Sequence, residues 1–577
     1  MAHAYDLVIR GGTLADGTGV ALFEADIAVH NGRVAAVGTV SGSGAEELDA
    51  KGRLVCPGFV DIHTHYDGQA TWDTRLQPSS WHGVTTAVMG NCGVGFAPVR
   101  PTDHNRLIEL MEGVEDIPGA ALHEGLKWNW QSFPDYLNAL DARQFDMDVC
   151  AQLPHGALRV FVMGERGAKL EAATPDDIAA MRALTEEAMR AGAIGFSTSR
   201  TLNHRTVTGD PTPSLRATEA ELTGIAEGIR AAGKGVFEMI SDFDTPDQET
   251  EFAMIRRLVG VAGAPMSISL GQAHSSPRGW RKLLDRIGAA ARDGLPMRAQ
   301  VAPRPIGTLY GLQSSLNPFS THPAFRAIQT KTLAEKVTAF RDPAFRAHLK
   351  SEGPAEHHAK TAKRLTDFVR IFPLGAVPDY EPPRERSLAA MAERQHRDVI
   401  DVACDLLVED EGRAFLFAPF SNYAEFSLDV CGEMMADPHT VMGLGDGGAH
   451  VGLISDGSFP TYLLTHWGRD RTYGRFPIEQ LVKKQTSDTA RAVGLDDRGI
   501  VAAGYKADLN IIDFDRLKLE APVMAYDLPA GGKRLLQRAR GYEATIVSGQ
   551  ITYRNGEATD ALPGRLVRGA QQMPQQK

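Results

Sequence analysis

The stretch Pro57-Gly58-Phe59-Val60-Asp61-Ile62-His63-Thr64-His65 decides how this chain is read. Residues 59–62 have the apolar character of a short buried strand, and His63 and His65 stand at its C-terminal end. Side chains two apart on extended backbone project to one face, so both imidazoles can reach a single metal ion. Two polar histidines closing a strand are the plainer alternative. The Pro-Gly lead-in and Asp67 just beyond favour the metal, and strand C-terminal ends are where barrel enzymes carry catalytic groups.

Two further runs share this strand-then-turn grammar. Residues 83–95, GVTTAVMGNCGVG, place Cys92 in a glycine-flanked turn after a strand at 84–89. Small neighbours let backbone and metal approach closely, and a thiolate is a good zinc ligand. An inert buried cysteine is the commoner fate of a free thiol, but beside His63 and His65 the ligand reading is preferred. Residues 440–450, TVMGLGDGGAH, end a short strand in Asp446 among glycines. An acid so placed can shuttle the proton of a metal-activated water; it can equally stabilise a glycine-rich turn.

Around these runs the middle of the chain alternates strand-like segments with amphipathic helices. Thr174 caps a helix with Pro175 at its first position and Gly192 at its end. Thr218 with Glu221 three residues on has the spacing of a capping box before a helix over 219–232. Such alternation predicts an α/β fold with a parallel sheet covered by helices. Both ends of the chain are instead rich in short strands, with Asn31-Gly32 marking a hairpin near the start and Asn555-Gly556 another near the end. One small β-domain assembled from both termini is expected, from 1–56 and 498–577, enclosing a catalytic unit over 57–497. The segment at about 316–384, rich in Lys, His and Pro, breaks the rhythm and is expected to be an insertion lidding the site.

Bulk properties narrow the function classes. Of the 577 residues, 43% are hydrophobic and 23% charged, ordinary for a globular protein, and the net charge is -11. That balance argues against a nucleic-acid or acidic-membrane binder, which needs clustered Lys and Arg. No apolar run approaches the roughly 20 residues that span a bilayer, and residues 1–9 lack a signal-peptide core. Five scattered cysteines suggest free thiols in a reducing compartment. A cytoplasmic protein with a small-molecule substrate, and with homo-oligomerisation open, is expected.

Taken together, VIRGGTLADGTG near the start, PGFVDIHTH, the late acid, and the closing GYKADLNIID and VSGQI resemble the amidohydrolase superfamily. HTHYD with GVTTAVMGNCGVGFAP resembles its D-aminoacylase (N-acyl-D-amino-acid deacylase) branch. The resemblance spans nearly the whole chain and is weakest at about 316–384. It implies a (β/α)8 TIM barrel with a small β-sandwich from both termini, Zn2+ (one or two ions), and hydrolysis of an N-acyl amide. It also implies His63, His65 and Cys92 as ligands, Asp446 as catalytic acid, and Arg471 as a holder of the substrate carboxylate.

The chain departs from that pattern where the branch carries histidines after the fifth and sixth strands. Glu238 stands near the first place, and Leu270 occupies the second with His274 further on. Glu238 and His274 are alternative ligands through oxygen and nitrogen, or structural residues; a metal site using His63, His65, Cys92 and Asp446 is the preferred alternative. His155 after a strand-like segment could face the site or simply pack; Arg304 could hold a carboxylate bidentately or lie at the surface. The expected activity is zinc-dependent deacylation of N-acyl-D-amino acids. Hydrolysis of another amide, cyclic amide or carbamate, and a non-catalytic metal-binding homologue, remain as alternatives.

Overall fold

The computed structural model describes residues 3–242, 248–354 and 356–575. Eight strands form one parallel sheet: β1 Phe59–Asp61, β2 Val84–Met89, β3 Asp148–Pro154, β4 Gly195–Arg200, β5 Val236–Ser241, β6 Met266–Ser269, β7 Met297–Val301 and β8 Thr440–Met442. They neighbour one another in chain order from β1 to β8. The ring closes just beyond the ends of β1 and β8, where Thr64 bridges Gly447 in parallel. His65 N–H donates to Gly447 O at 2.8 Å and Asp446 N–H to His63 O at 2.9 Å. This is the (β/α)8 TIM barrel expected, and the closure itself places Asp446 beside the two histidines.

The helices that wrap the barrel follow their sequence signals. Pro175–Ala191 begins with Thr174 accepting from Asp177 N–H and stops at Gly192, φ +116°. Glu219–Ala232 is capped by Thr218 and ends at Gly233. Its Glu221, however, does not turn back on the cap: it is drawn inward to His155 and Arg159, where a buried cation outcompetes a backbone N–H for the carboxylate. Leu222, Ile225 and Ile229 from this helix join Phe196, Phe237 and Ile268 from the strands in the main core.

Both termini combine in a separate nine-stranded sheet. Strands from Tyr5–Leu14 to Leu54–Pro57 pair through Leu509–Ile512 with Tyr542–Val547 and the strands that follow it. Leu7, Ile9, Ile27, Leu509 and Ile546 fill its core. The Asn31-Gly32 hairpin has the positive φ at both residues that its tight turn demands.

Between β7 and β8 the chain leaves the barrel. Ile306–Tyr310, Leu416–Ser421 and Phe372–Pro373 make a three-stranded sheet. Helices including Leu333–Arg341 and Val399–Leu407 pack on it around their own core of Phe319, Phe340, Leu388 and Leu407. The insertion is therefore wider than the 316–384 segment read from composition. Its later helices carry the same amphipathic period as those covering the barrel, so the sequence pattern gives no signal of the boundary. No helix among the described residues is long and apolar enough to cross a membrane.

Candidate active site

Beyond β1 the backbone stays extended, so His63 and His65 turn to the barrel interior while Thr64 turns away to bond Val88 O at 2.8 Å through its hydroxyl. Beyond β2, Gly90 takes φ +82°, and a Cβ there would lie 2.4 Å from Gln152 O, so only glycine lets β2 turn this close to β3. The turn brings Cys92, itself at φ +54°, back over the barrel. Ligand atoms of His63, His65 and Cys92 lie within 4.8 Å of one another, all three residues buried. His63 Nε2 is 3.3 Å from Cys92 Sγ. Asp446 Oδ1 lies 3.4 Å from His63 Nε2 and 3.6 Å from His65 Nε2.

The surroundings prepare these groups as ligands. Gln300 Oε1 sits 2.7 Å from His63 Nδ1; an amide oxygen only accepts, so Nδ1 carries the proton and Nε2 presents its lone pair to the cluster. Burial lowers the His65 imidazole to about 4, which keeps it neutral. Burial alone would raise the Asp446 carboxyl, but the His65 hydrogen bond and the neighbouring imidazoles of His63 and His65 outweigh it and hold Asp446 well below the usual carboxylate range. Burial, with Glu238 next, pushes the Cys92 thiol well above its ordinary value; a cation at the cluster reverses that preference. Donor separations of about 3–4 Å are those found around an ion with bonds of about 2.0–2.3 Å. A divalent cation fits these residues.

Glu238 closes the far side. Its Oε2 accepts from Cys92 N–H at 2.9 Å, while Oε1 is buried without a hydrogen-bond partner among the described residues. Burial raises this carboxyl to about 7. It supports the Cys92 turn from behind, with Ser269 beside its carboxyl.

The remaining residues named from the sequence lie elsewhere. His274 faces Arg370 and Glu425 of the insertion, because Leu270 fills the end of β6 with its buried side chain. His155 uses both ring nitrogens, on Thr198 Oγ1 at 2.8 Å and Glu221 Oε1 at 2.9 Å, and is fully buried. Arg304 is 1% exposed; it pairs with Asp456 at 3.0 Å and lies over the Tyr380 ring at 3.7 Å. Arg471 is gripped by Glu381, at 2.9 and 3.1 Å, and by Asp429 at 2.6 Å. As the structure stands, both guanidinium groups already hold carboxylates of the protein.

Three residues near the cluster went unassigned from sequence. Glu115 lies 3.2 Å from His65 Nδ1, and His450 Nε2 lies 3.9 Å from Asp446 Oδ2. His204, in the loop after β4, bonds Ser199 Oγ at 2.9 Å; burial lowers it to about 3, with His450 and His65 adding to the effect. His450 stands inside the glycine-rich run quoted above, a signal available from the start. Glu115 ends an ordinary amphipathic helix, His104–Glu115, and carries none.

Comparison with known proteins agrees with this geometry. The sequence profile of the amidohydrolase family matches residues 46–553. The chain belongs to the amidohydrolase family. The family's hydrolases act on C–N bonds outside peptides, and this amidohydrolase is similar along its whole length to D-aminoacylase of Alcaligenes xylosoxydans xylosoxydans, 27% identical over 98% of each chain. N-acyl-D-aspartate deacylase of the same organism is 26% identical, covering 99% of this chain and 96% of its own. Among solved structures, a D-aminoacylase superposes with TM-score 0.65 at 25% identity, covering 98% of this amidohydrolase and all of that chain. An N-acyl-D-glutamate deacylase from Bordetella bronchiseptica, solved with zinc and a phosphonate inhibitor, shares the fold with TM-score 0.64 at 23% identity, covering 98% of this chain and 99% of its own.

Proposed function

We propose that this amidohydrolase removes the acyl group from N-acyl-D-amino acids, with zinc held by His63, His65 and Cys92 and with Asp446 as its acid–base residue. The observation that carries the reading is the convergence of three buried ligand atoms within 4.8 Å beside a carboxylate that touches both imidazoles. The full-length similarity to D-aminoacylase supports the substrate class.

When bound, the ion supplies Lewis acidity and makes water nucleophilic near neutral pH. Asp446 does the proton work. Held ionised by His65 and His63, it accepts a proton from the attacking water and delivers it to the departing amine nitrogen as the C–N bond breaks. One acid serves both steps, because the proton taken in the first is the one required in the second. Gln300 and Glu238 orient, through His63 and the Cys92 turn respectively.

The test is turnover of matched N-acetyl-D- and N-acetyl-L-amino acids by metal-analysed protein. Stoichiometric zinc with hydrolysis of the D series supports the proposal. Zinc with hydrolysis only of cyclic amides or carbamates overturns the substrate, and protein that binds no divalent ion overturns the centre.

A further inference from the structure

Glu115 is 1% exposed and sits at the end of a helix that interrupts the path from β2 to β3. Its Oε1 lies 3.2 Å from His65 Nδ1, and its Oε2 lies 3.6 Å from His450 Nε2. Its backbone O accepts from Val451 N–H at 3.3 Å. The two histidines of the cluster are placed in parallel: each has Nε2 toward Asp446 and Nδ1 near a side-chain oxygen, hydrogen-bonded to Gln300 for His63 and 3.2 Å from Glu115 Oε1 in an ion-pair approach for His65. A histidine that binds a metal through one nitrogen is oriented by what its other nitrogen meets, and loss of that partner weakens the metal about 10–100-fold. Glu115 does more than Gln300, because its second oxygen reaches His450, the imidazole whose Nε2 also stands 3.9 Å from Asp446 Oδ2.

We propose that Glu115 is a positioning residue for the hydrolysis: one buried carboxylate aims His65 at the metal and seats His450 at the edge of Asp446. This rests on the reading above that His65 is a ligand. A purely structural role would work instead through the corner that Glu115 shares with Asp116, whose Oδ2 accepts from Gly452 N–H at 3.1 Å and from the Ser315 hydroxyl at 2.9 Å. Asp116 thus anchors the same loop without being part of the cluster, and serves as the control.

The experiment compares Glu115→Ala, Glu115→Gln and Asp116→Asn in the full chain, by zinc affinity in chelator competition and by the visible spectrum of the cobalt(II)-loaded protein. Glu115→Ala is expected to lose about 10–100-fold in affinity and to change the cobalt spectrum. Glu115→Gln keeps an oxygen for His65 and is expected within about threefold of wild type in affinity while kcat falls, since an NH2 that cannot accept replaces the oxygen facing His450 at 3.6 Å. Asp116→Asn is expected to match wild type in both readouts. Unchanged affinity and spectrum in Glu115→Ala would overturn the proposal, as would an equal loss in Asp116→Asn. Wild-type protein that binds no ion would instead bring down the metal reading itself.

Discussion

At the N-terminal end of the barrel, Arg498 donates to Asp148 at 2.7 Å, to Asp497 at 2.9 Å and to Thr86 at 2.9 Å. Lys506 adds bonds to Asp148 and Asp508, and the other Asp148 oxygen accepts from Arg565 N–H. At the C-terminal end, Glu238 Oε1, Glu115 Oε2 and Asp61 Oδ2 are equally buried and accept no hydrogen bond among the described residues. Burying a polar group without a partner costs on the order of 1–3 kcal/mol, so a fold tolerates such groups only where something else repays them. Both ends bury acids at comparable depth. One has its acids paired with arginine and lysine and holds the strand ends to the terminal sheet; the other leaves acid oxygens unpaired around the place where ligand atoms of His63, His65 and Cys92 converge within 4.8 Å, which is what a binding site looks like before its ligand is counted.

That contrast breaks first at the C-terminal end. Stripping divalent ions is expected to abolish hydrolysis and to lower the thermal midpoint, with zinc restoring both, since a ligand bound only by the native state stabilises it. Chelation that leaves rate and midpoint unchanged would mean the unmatched groups are not a metal centre. Asp446→Asn is expected to cut kcat by about 10²–10⁴-fold with zinc content retained. Near-normal turnover by that variant would remove Asp446 from the chemistry.

The same contrast explains what could be read from the sequence. His63 and His65 were legible because the spacing that puts them on one face is local, and Cys92 and Asp446 because strand, turn and glycine stand within ten residues of each. Arg304 and Arg471 looked free for a substrate because their partners are remote: Asp456 meets Arg304 across the β8 loop, and Glu381 reaches Arg471 from the insertion. Glu115 was invisible for a related reason. Its helix is an ordinary amphipathic one, and only the closure of the barrel at Thr64 and Gly447 lays the β8 loop against its end. The capping-box spacing at Thr218 and Glu221 shows the limit from the other side: the local signal was present, and the buried pair of His155 and Arg159 took Glu221 away from it.

At the matched end, substitution should cost stability and spare chemistry. Arg498→Met leaves Asp148 with a buried charge only partly met by Lys506, so unfolding free energy is expected to fall by about 3–5 kcal/mol. Turnover per folded, zinc-loaded molecule should stay near wild type. Chemical denaturation with parallel kinetics checks both; a variant as stable as wild type would show the network to be dispensable, and one that is stable but inactive would mean the two ends are coupled.

The smallest effect sharpens the comparison at a third place, the junction of insertion and barrel. Glu381 accepts from Arg471 and from His466 Nε2 at 2.7 Å, and from Leu428 N–H at 2.8 Å. Burial opposes its ionisation, but His466 and Arg471 prevail and bring the carboxyl down to about 2 from its ordinary 4.5. A carboxyl whose pKa is lower in the folded state binds fewer protons there than when unfolded. Its contribution is therefore complete above about pH 4.5 and is lost as the pH falls toward about 2. Glu381→Gln lacks that titration. The difference in unfolding free energy between wild type and Glu381→Gln should accordingly be constant above this window and shrink through it on acidification. A difference that stays level down to the lower end would mean Glu381 is not an ionised partner of Arg471. Arg471 would then be held as an ion pair by Asp429 alone, and the junction would be less like the doubly matched Arg498.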